Sequence, residues 1–193
     1  MNESIYGSHL PRMQQLLSEV RSDIDALRAR ERGATGEDPV EHVKTRIKDE
    51  ESMRRKCQLR GYPVNEESAL FRIHDAVGVR IVCSFVQDVY DFRDRLLTLE
   101  GYEVVLQKDY IRHPKPNGYR SLHLVMRRYG YFVEFQLRTI SMDTWAALEH
   151  HMRYKKRIGS DVSLISSELK RCADELASTD LSLQTIRNML AEI

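Results

Sequence analysis

Lys108 to Arg138 reads KDYIRHPKPNGYRSLHLVMRRYGYFVEFQLR, and the second half of this stretch decides the fold. From Tyr119 to Met126 the residues alternate, with Leu122, Leu124 and Met126 on one side and Tyr119, Ser121, His123 and Val125 on the other. Tyr131 to Arg138 alternates as well, Val133, Phe135 and Leu137 against Glu134, Gln136 and Arg138. A period of two predicts two strands, each with one apolar face. Arg127 to Gly130 reads as a tight turn, so the strands form an antiparallel hairpin. Pairing Met126 with Tyr131 sets His123 opposite Glu134, Ser121 opposite Gln136 and Tyr119 opposite Arg138. Opposed side chains lie roughly 4.5–5.5 Å apart at Cβ, so an aromatic ring, an imidazole, a carboxylate and a guanidinium would share one face. A slip of one residue would bury the charges, which pins the face. The same pattern also fits an ordinary solvated face of an antiparallel sheet.

Upstream, Lys108 to Gly118 mixes basic, aromatic and breaker residues, and Pro114 and Pro116 remove backbone donors; it is predicted to be a loop. Tyr102 to Gln107 reads as a strand, and Val89, Phe92, Leu96 and Leu99 mark a helix closed by Gly101. Asp75 to Ser84 (DAVGVRIVCS) is β-branched and nearly continuous, as in a buried central strand. Asp75 at its mouth and Arg80 within it stand out, because an unpaired buried charge is costly. Asp75 is either a functional carboxylate or the cap of a turn. His74-Asp75 spells the metal-phosphohydrolase dipeptide, yet no other histidine and aspartate cluster supplies the remaining ligands. Glu66 to Ile73 suits a short helix.

Val40 to Gly61 divides into a strand through about Lys48 and a helix from Asp49 or Glu50 to Arg60. On that helix Ser52 and Lys56 lie one turn apart on the same face. The segment points three cations and a hydroxyl one way, an arrangement that attracts phosphate near a helix N-terminus. A solvated basic edge strand is the competing reading. Residues 5 to 31 are predicted to form a helix with a seam of Leu10, Met13, Leu17, Val20, Ile24 and Leu27, ended by Gly33 to Pro39. Ile140 to about Arg157 is a helix capped by Thr139 or Ser141, with Met142, Trp145, Leu148 and Met152 on its core face and a basic end. His150 and His151 read as packing or surface residues. From Ser160 a last helix carries Leu169, Cys172, Leu176, Leu183, Ile186, Leu190 and Ile193 near heptad spacing.

Composition narrows the class. A chain of 193 residues holds one sizeable core, and a formal net charge of +1 lacks the overall basicity of a nucleic-acid binder. Cys57, Cys83 and Cys172 are scattered and odd in number, as reduced thiols of a cytosolic protein are. No signal peptide or membrane-spanning apolar run is visible. No Walker-A loop, dinucleotide glycine fingerprint, zinc spacing or nucleophile elbow occurs. What remains is a basic, carboxylate-bearing sheet face with aromatics, suited to metal-assisted phosphate chemistry.

Four ordered motifs then carry a resemblance: RIKDEESMRRK at 46–56, DAVGVRIV at 75–82, KPNGYRSLH at 115–123 and VEFQLRT at 133–139, extended by WAALEH at 145–150. Together they cover about residues 40 to 157 and resemble the RelA/SpoT-like synthetase domain, in the short form of the small alarmone synthetases. The resemblance implies an α+β fold: a mixed, mainly antiparallel sheet with flanking helices, nucleotidyltransferase-like, plus N- and C-terminal helices. It implies one synthetase domain over 1–193, with 1–38 a helix and joint, 40–157 the catalytic core and 160–193 a helix.

The implied activity is Mg²⁺-dependent transfer of the β,γ-pyrophosphate of ATP to the ribose 3′-hydroxyl of GDP or GTP, releasing AMP and (p)ppGpp. Arg46 and Arg80 would sandwich the adenine, and Lys48, Ser52 and Lys56 would hold the ATP phosphates. Asp75 and Glu134 would be catalytic and bind the metal, Glu134 as metal helper or as base. Lys115, Asn117, Tyr119, His123, Gln136 and Arg138 would serve GDP or GTP, with Tyr119 stacking on guanine. Asp49-Glu50-Glu51 is more acidic than an ATP phosphate site leads one to expect. The family likeness further implies a cytoplasmic homotetramer joined through the terminal helices, with alarmone or RNA regulation in some members. Two alternatives stand beside it: another nucleotidyltransferase, and a catalytically silent nucleotide- or RNA-binding module.

Overall fold

The computed structural model describes residues 4–154 and 162–192. Among these, five strands form one sheet: β1 (Val40–Ile47), β2 (Val77–Cys83), β3 (Glu103–Asp109), β4 (Leu122–Arg128) and β5 (Tyr131–Thr139). Their order is β1-β2-β5-β4-β3, with β2 parallel to β5 and the other neighbours antiparallel. The parallel pair needs a crossover, and α3 (Val86–Leu96) with the β3–β4 pair supplies it. This is the mixed, mainly antiparallel α+β architecture expected.

One face of the sheet is the core. Val77, Val79 and Ile81 of β2 meet Val133, Phe135 and Leu137 of β5 and Leu122, Leu124 and Met126 of β4, all buried. α1 (Leu10–Thr35) and α3 cover them with Met13, Leu16, Val20, Ile24 and Leu27, and with Val89, Phe92 and Leu96. Each fully buried side chain of this size contributes about 1.5–3 kcal/mol, so the face fixes the register. The N-terminal seam thus serves the chain's own core. Its inner line runs through Leu16, while Leu17 packs at the margin. The helix also begins later and ends later than expected: Gly7–His9 form a separate tight turn, and Gly33 lies inside α1, which stops at Gly36 with φ +79°.

The hairpin register differs from the expected one by two residues. Arg128 pairs with Tyr131, so His123 faces Gln136 and Val125 faces Glu134. The cause is the turn: Tyr129 and Gly130 both have positive φ (51° and 83°), giving a two-residue connection that lengthens β4 to Arg128. A shift of two preserves the faces. Tyr119 and Ser121 precede β4 rather than pairing within it, and Lys108-Asp109 belong to β3.

α4 (Ile140–Tyr154) is capped by Thr139, whose Oγ1 accepts from the Met142 amide at 3.2 Å. Its first turns bury Met142 and Trp145, but Leu148 and Met152 are exposed, correcting the expected core face: α4 leaves the sheet after about two turns. α5 (Val162–Ala191) lies against α4 and α3. It buries Ala173 and Asp180, and leaves Leu183, Ile186 and Leu190 exposed, so those three members of its seam are not core here. The expected basic end of α4, the start of the last helix at Ser160 and the seam residue Ile193 fall outside the described residues.

Candidate active site

The second face of the sheet carries the polar residues in ordered rungs. One rung runs Lys44, Arg80, Gln136, His123, Lys108 from β1 to β3; the next runs Arg46, Gly78, Glu134, Val125, Leu106. Two cavities open on this face, and Glu134 lines both. The first, about 220 Å³, is bounded by Lys44, Arg46, Gly78, Arg80 and Gln136; the second, about 240 Å³, by Lys56, Arg72, His74, Asp75 and Lys108.

Asp75 precedes β2 and is reached by two ammonium groups: Lys48 Nζ at 2.9 Å and Lys56 Nζ at 2.6 Å, both on Oδ2. Burial pushes its carboxyl pKa up, but the two lysines outweigh burial and hold it below the usual carboxylate range. Its other oxygen, Oδ1, is buried and has no hydrogen-bond partner among the described residues. Lys48 is held from behind, because the Tyr6 hydroxyl donates to its carbonyl at 2.6 Å. Lys56 comes from α2 (Glu50–Leu59), and Ser52 of the same helix lines a shallow depression with Lys48 and Lys56.

Each member of the acidic run before Ser52 has a partner of its own, Glu51 pairing with Arg55 on the exposed side of α2. Asp49 caps α2 by accepting from the Ser52 amide at 2.8 Å, and Glu50 accepts from the Ser4 hydroxyl at 2.6 Å. These carboxylates are used by the helix start and by the N-terminal turn.

Glu134 is anchored at both oxygens. His123 Nδ1 lies 3.2 Å from Oε1, and Gln136 Nε2 donates to Oε2 at 2.8 Å. The contact with His123 is diagonal across the hairpin rather than directly opposed. Burial raises the Glu134 pKa, but the hydrogen bond and charge of His123 prevail, so it sits below its ordinary value. Around this pair the donors run one way. Arg138 donates to the Tyr119 hydroxyl at 2.8 Å and to Gln136 Oε1 at 2.9 Å, and Tyr119 Oη lies 2.8 Å from His123 Nε2. The two ring nitrogens of His123 thus face different partners, Nδ1 the Glu134 carboxylate and Nε2 the tyrosine hydroxyl. His74, stacked on Phe132 at 4.0 Å, has its pKa lowered by burial.

The loop from Tyr110 to Gly118 brings Lys115 over the Tyr110 and Tyr119 rings at 4.6 and 4.7 Å. Tyr119 also meets Trp145 edge to face. The Asn117 side chain accepts from the Tyr119 amide and donates to Glu149. The structure therefore gathers Asp75, Lys48 and Lys56 into one group, and Glu134, His123, Gln136, Tyr119, Arg138 and Lys115 into a second. Arg46 and Arg80 line the first cavity together, and Ser52 borders the Asp75 group. Residues absent from the sequence reading are Tyr110 and Asp143, while Lys44 is among the three cations placed on one face of the first strand, without a role of its own. The aromatic spacing of the loop could have signalled Tyr110.

A family model described as "Region found in RelA / SpoT proteins" matches residues 45–159. The GTP pyrophosphokinase YwaC of Bacillus subtilis is 43% identical over 148 residues, 72% of this chain and 70% of that protein. Among solved structures, small alarmone synthetase 2 of B. subtilis superposes with a TM-score of 0.83 at 33% identity, covering 94% of this chain and 98% of that one. Small alarmone synthetase 1 of B. subtilis, bound to its product pppGpp, gives 0.82 at 29%, covering 92% and 93%.

Proposed function

The chain belongs to the RelA/SpoT family, and on that premise we propose that it is a (p)ppGpp synthetase, transferring the pyrophosphate of ATP to the 3′-hydroxyl of GDP or GTP. The observation that carries this reading is Glu134, a carboxylate on the wall shared by the two cavities. One cavity presents two guanidinium groups that suit a purine held between planes, so Arg46 and Arg80 take the adenine. Lys48, Ser52 and Lys56 hold the donor phosphates. Tyr119 presents its ring to the guanine, and Lys115, Asn117, His123, Gln136 and Arg138 orient the acceptor.

In the transfer the 3′-oxygen attacks the β-phosphorus, the bond from β-phosphorus to the bridging oxygen breaks, and AMP leaves with that oxygen. Glu134 accepts the hydroxyl proton. Its lowered pKa keeps it ionised for this step, and His123 and Gln136 fix its direction. Phosphoryl-type transfer depends mainly on positioning and charge stabilisation, which this set of cations provides without a covalent nucleophile.

The residues fit a divalent cation. Mg²⁺ takes one or two protein carboxylates and completes its shell with phosphates and water. Asp75, with a buried and unpartnered Oδ1, and Glu134 would hold it, and bound there it would neutralise charge developing on the donor phosphates. We read the chain as one synthetase domain working in the cytoplasm. The exposed Leu181, Ile186, Met189 and Leu190 support self-association through α5, and we read the assembly as a tetramer; the seam of α1 is taken up by the chain's own core. The mass of the assembly by light scattering checks that state.

The deciding experiment mixes the purified chain with Mg²⁺, γ-labelled ATP and GDP or GTP, and separates the nucleotides. Label in a guanosine tetra- or pentaphosphate with equimolar AMP is expected. Transfer of α-label instead would make the chain a nucleotidyltransferase, and binding without turnover a silent module.

A further inference from the structure

Asp143 is assigned no part in the reading above, yet it sits where the two halves of the site meet. It is 9% exposed and belongs to the first turn of α4. Its Oδ1 lies 3.0 Å from Arg138 Nη1 and 3.1 Å from Arg80 Nη1, and its Oδ2 lies 3.7 Å from His42 Nε2. The three partners come from β5, β2 and β1, so one carboxylate spans three strands. Helix capping does not use it, because Thr139 already fills that role.

The two arginines depend on this anion in different degrees. Arg138 has further partners in Tyr119, Gln136 and Ser121, whereas Arg80 Nε is buried and unpartnered among the described residues. Two guanidinium groups on one carboxylate oxygen repel each other, and in a partly dry site they hold that spacing only while the carboxylate stays between them. Arg80 faces the donor cavity, and Arg138 ends the network that runs through Tyr119 to His123.

We propose that Asp143 is a positioning residue shared by both nucleotide subsites, setting the donor-side Arg80 and the acceptor-side Arg138 at one fixed spacing. This rests on the assignment of the two cavities to ATP and to GDP or GTP. It predicts that a single substitution loosens the binding of both nucleotides, although Asp143 touches neither.

The test uses the full chain as wild type, Asp143→Asn, Asp143→Glu and, as a donor-side control, Arg46→Ala. Affinities for a non-hydrolysable ATP analogue and for GDP are measured separately by calorimetry, alongside steady-state KM and kcat and thermal melting. In Asp143→Asn both affinities should fall about tenfold to a hundredfold, as for loss of charged hydrogen bonds. Asp143→Glu should recover part of both, and Arg46→Ala should weaken the ATP analogue alone. If Asn does not fold, the Glu variant carries the test, since one added methylene should still shift both affinities together. A change in only one nucleotide, or unchanged affinities with a lower melting temperature, would overturn the proposal. Should the wild type bind both nucleotides but make no alarmone, the functional reading fails while the binding comparison still decides the role of Asp143.

Discussion

Lys56 places its ammonium nitrogen 2.6 Å from Oδ2 of Asp75, and Lys48 approaches the same oxygen at 2.9 Å. The carboxylate is thus held on one oxygen by two cations, while Oδ1 is buried and without a hydrogen-bond partner among the described residues. Asp75→Asn keeps the shape and removes the charge. AMP release should fall on the order of 10²–10³, as on losing one preorganised charge, while melting stays cooperative. Turnover near that of the wild type would remove Asp75 from the chemistry.

The hydroxyl of Tyr119 joins Arg138 to His123. Tyr119→Phe keeps the ring but breaks that link, so kcat should drop about threefold to tenfold, the size of one hydrogen bond, with the KM for GDP little changed. Tyr119→Ala also removes the ring and should raise that KM. A common effect of both variants on kcat alone would separate the ring from guanine binding.

Much of this site was legible because its residues lie on strands of period two. Glu134, Gln136 and His123 share the face assigned to them, and Arg80 joins them there beside Gln136, even though the hairpin is shifted by two residues. The shift escaped notice because Tyr129 takes a positive φ that Asn, Asp or Gly ordinarily signals. Asp143 escaped because an acidic residue in a first helical turn reads as a complement to the helix dipole. The exposure of Leu148 and Met152 was illegible for a different reason: spacing defines a helix face but not the length over which a neighbour covers it.

Gly118 has φ +91°, and a Cβ added there would stand 2.6 Å from Ala173 Cβ and 3.3 Å from Lys170 Cα of α5. Arg120 reinforces this contact, donating to the Ala173 carbonyl and to Asp174. α5 therefore clamps the loop that carries Lys115 and Tyr119. Gly118→Ala should cost about 1–3 kcal/mol through overpacking and strain, and should raise the KM for GDP more than that for ATP. Adding Ala173→Gly should restore part of the loss by relieving the clash while leaving the strained φ. Equal effects on both nucleotides would show that the loop does not serve the acceptor.

Asp38, remote from the site, accepts from Arg28 and Arg32 of α1 and from the Val40 amide at the start of β1. Burial raises its pKa, but the Arg28 contact and the amide outweigh burial and hold it below the ordinary value. A carboxyl depressed in the folded state stabilises fully above its unfolded pKa and loses that contribution as pH falls through the folded value. With an unfolded Asp pKa of about 3.9, the loss begins near that pH and grows as the solution is acidified further. Asp38→Asn should be less stable than wild type at neutral pH, and the two denaturation midpoints should converge in acid. Midpoints measured from neutral pH into acid check this; a constant difference between the two proteins would mean that Asp38 contributes through shape rather than charge.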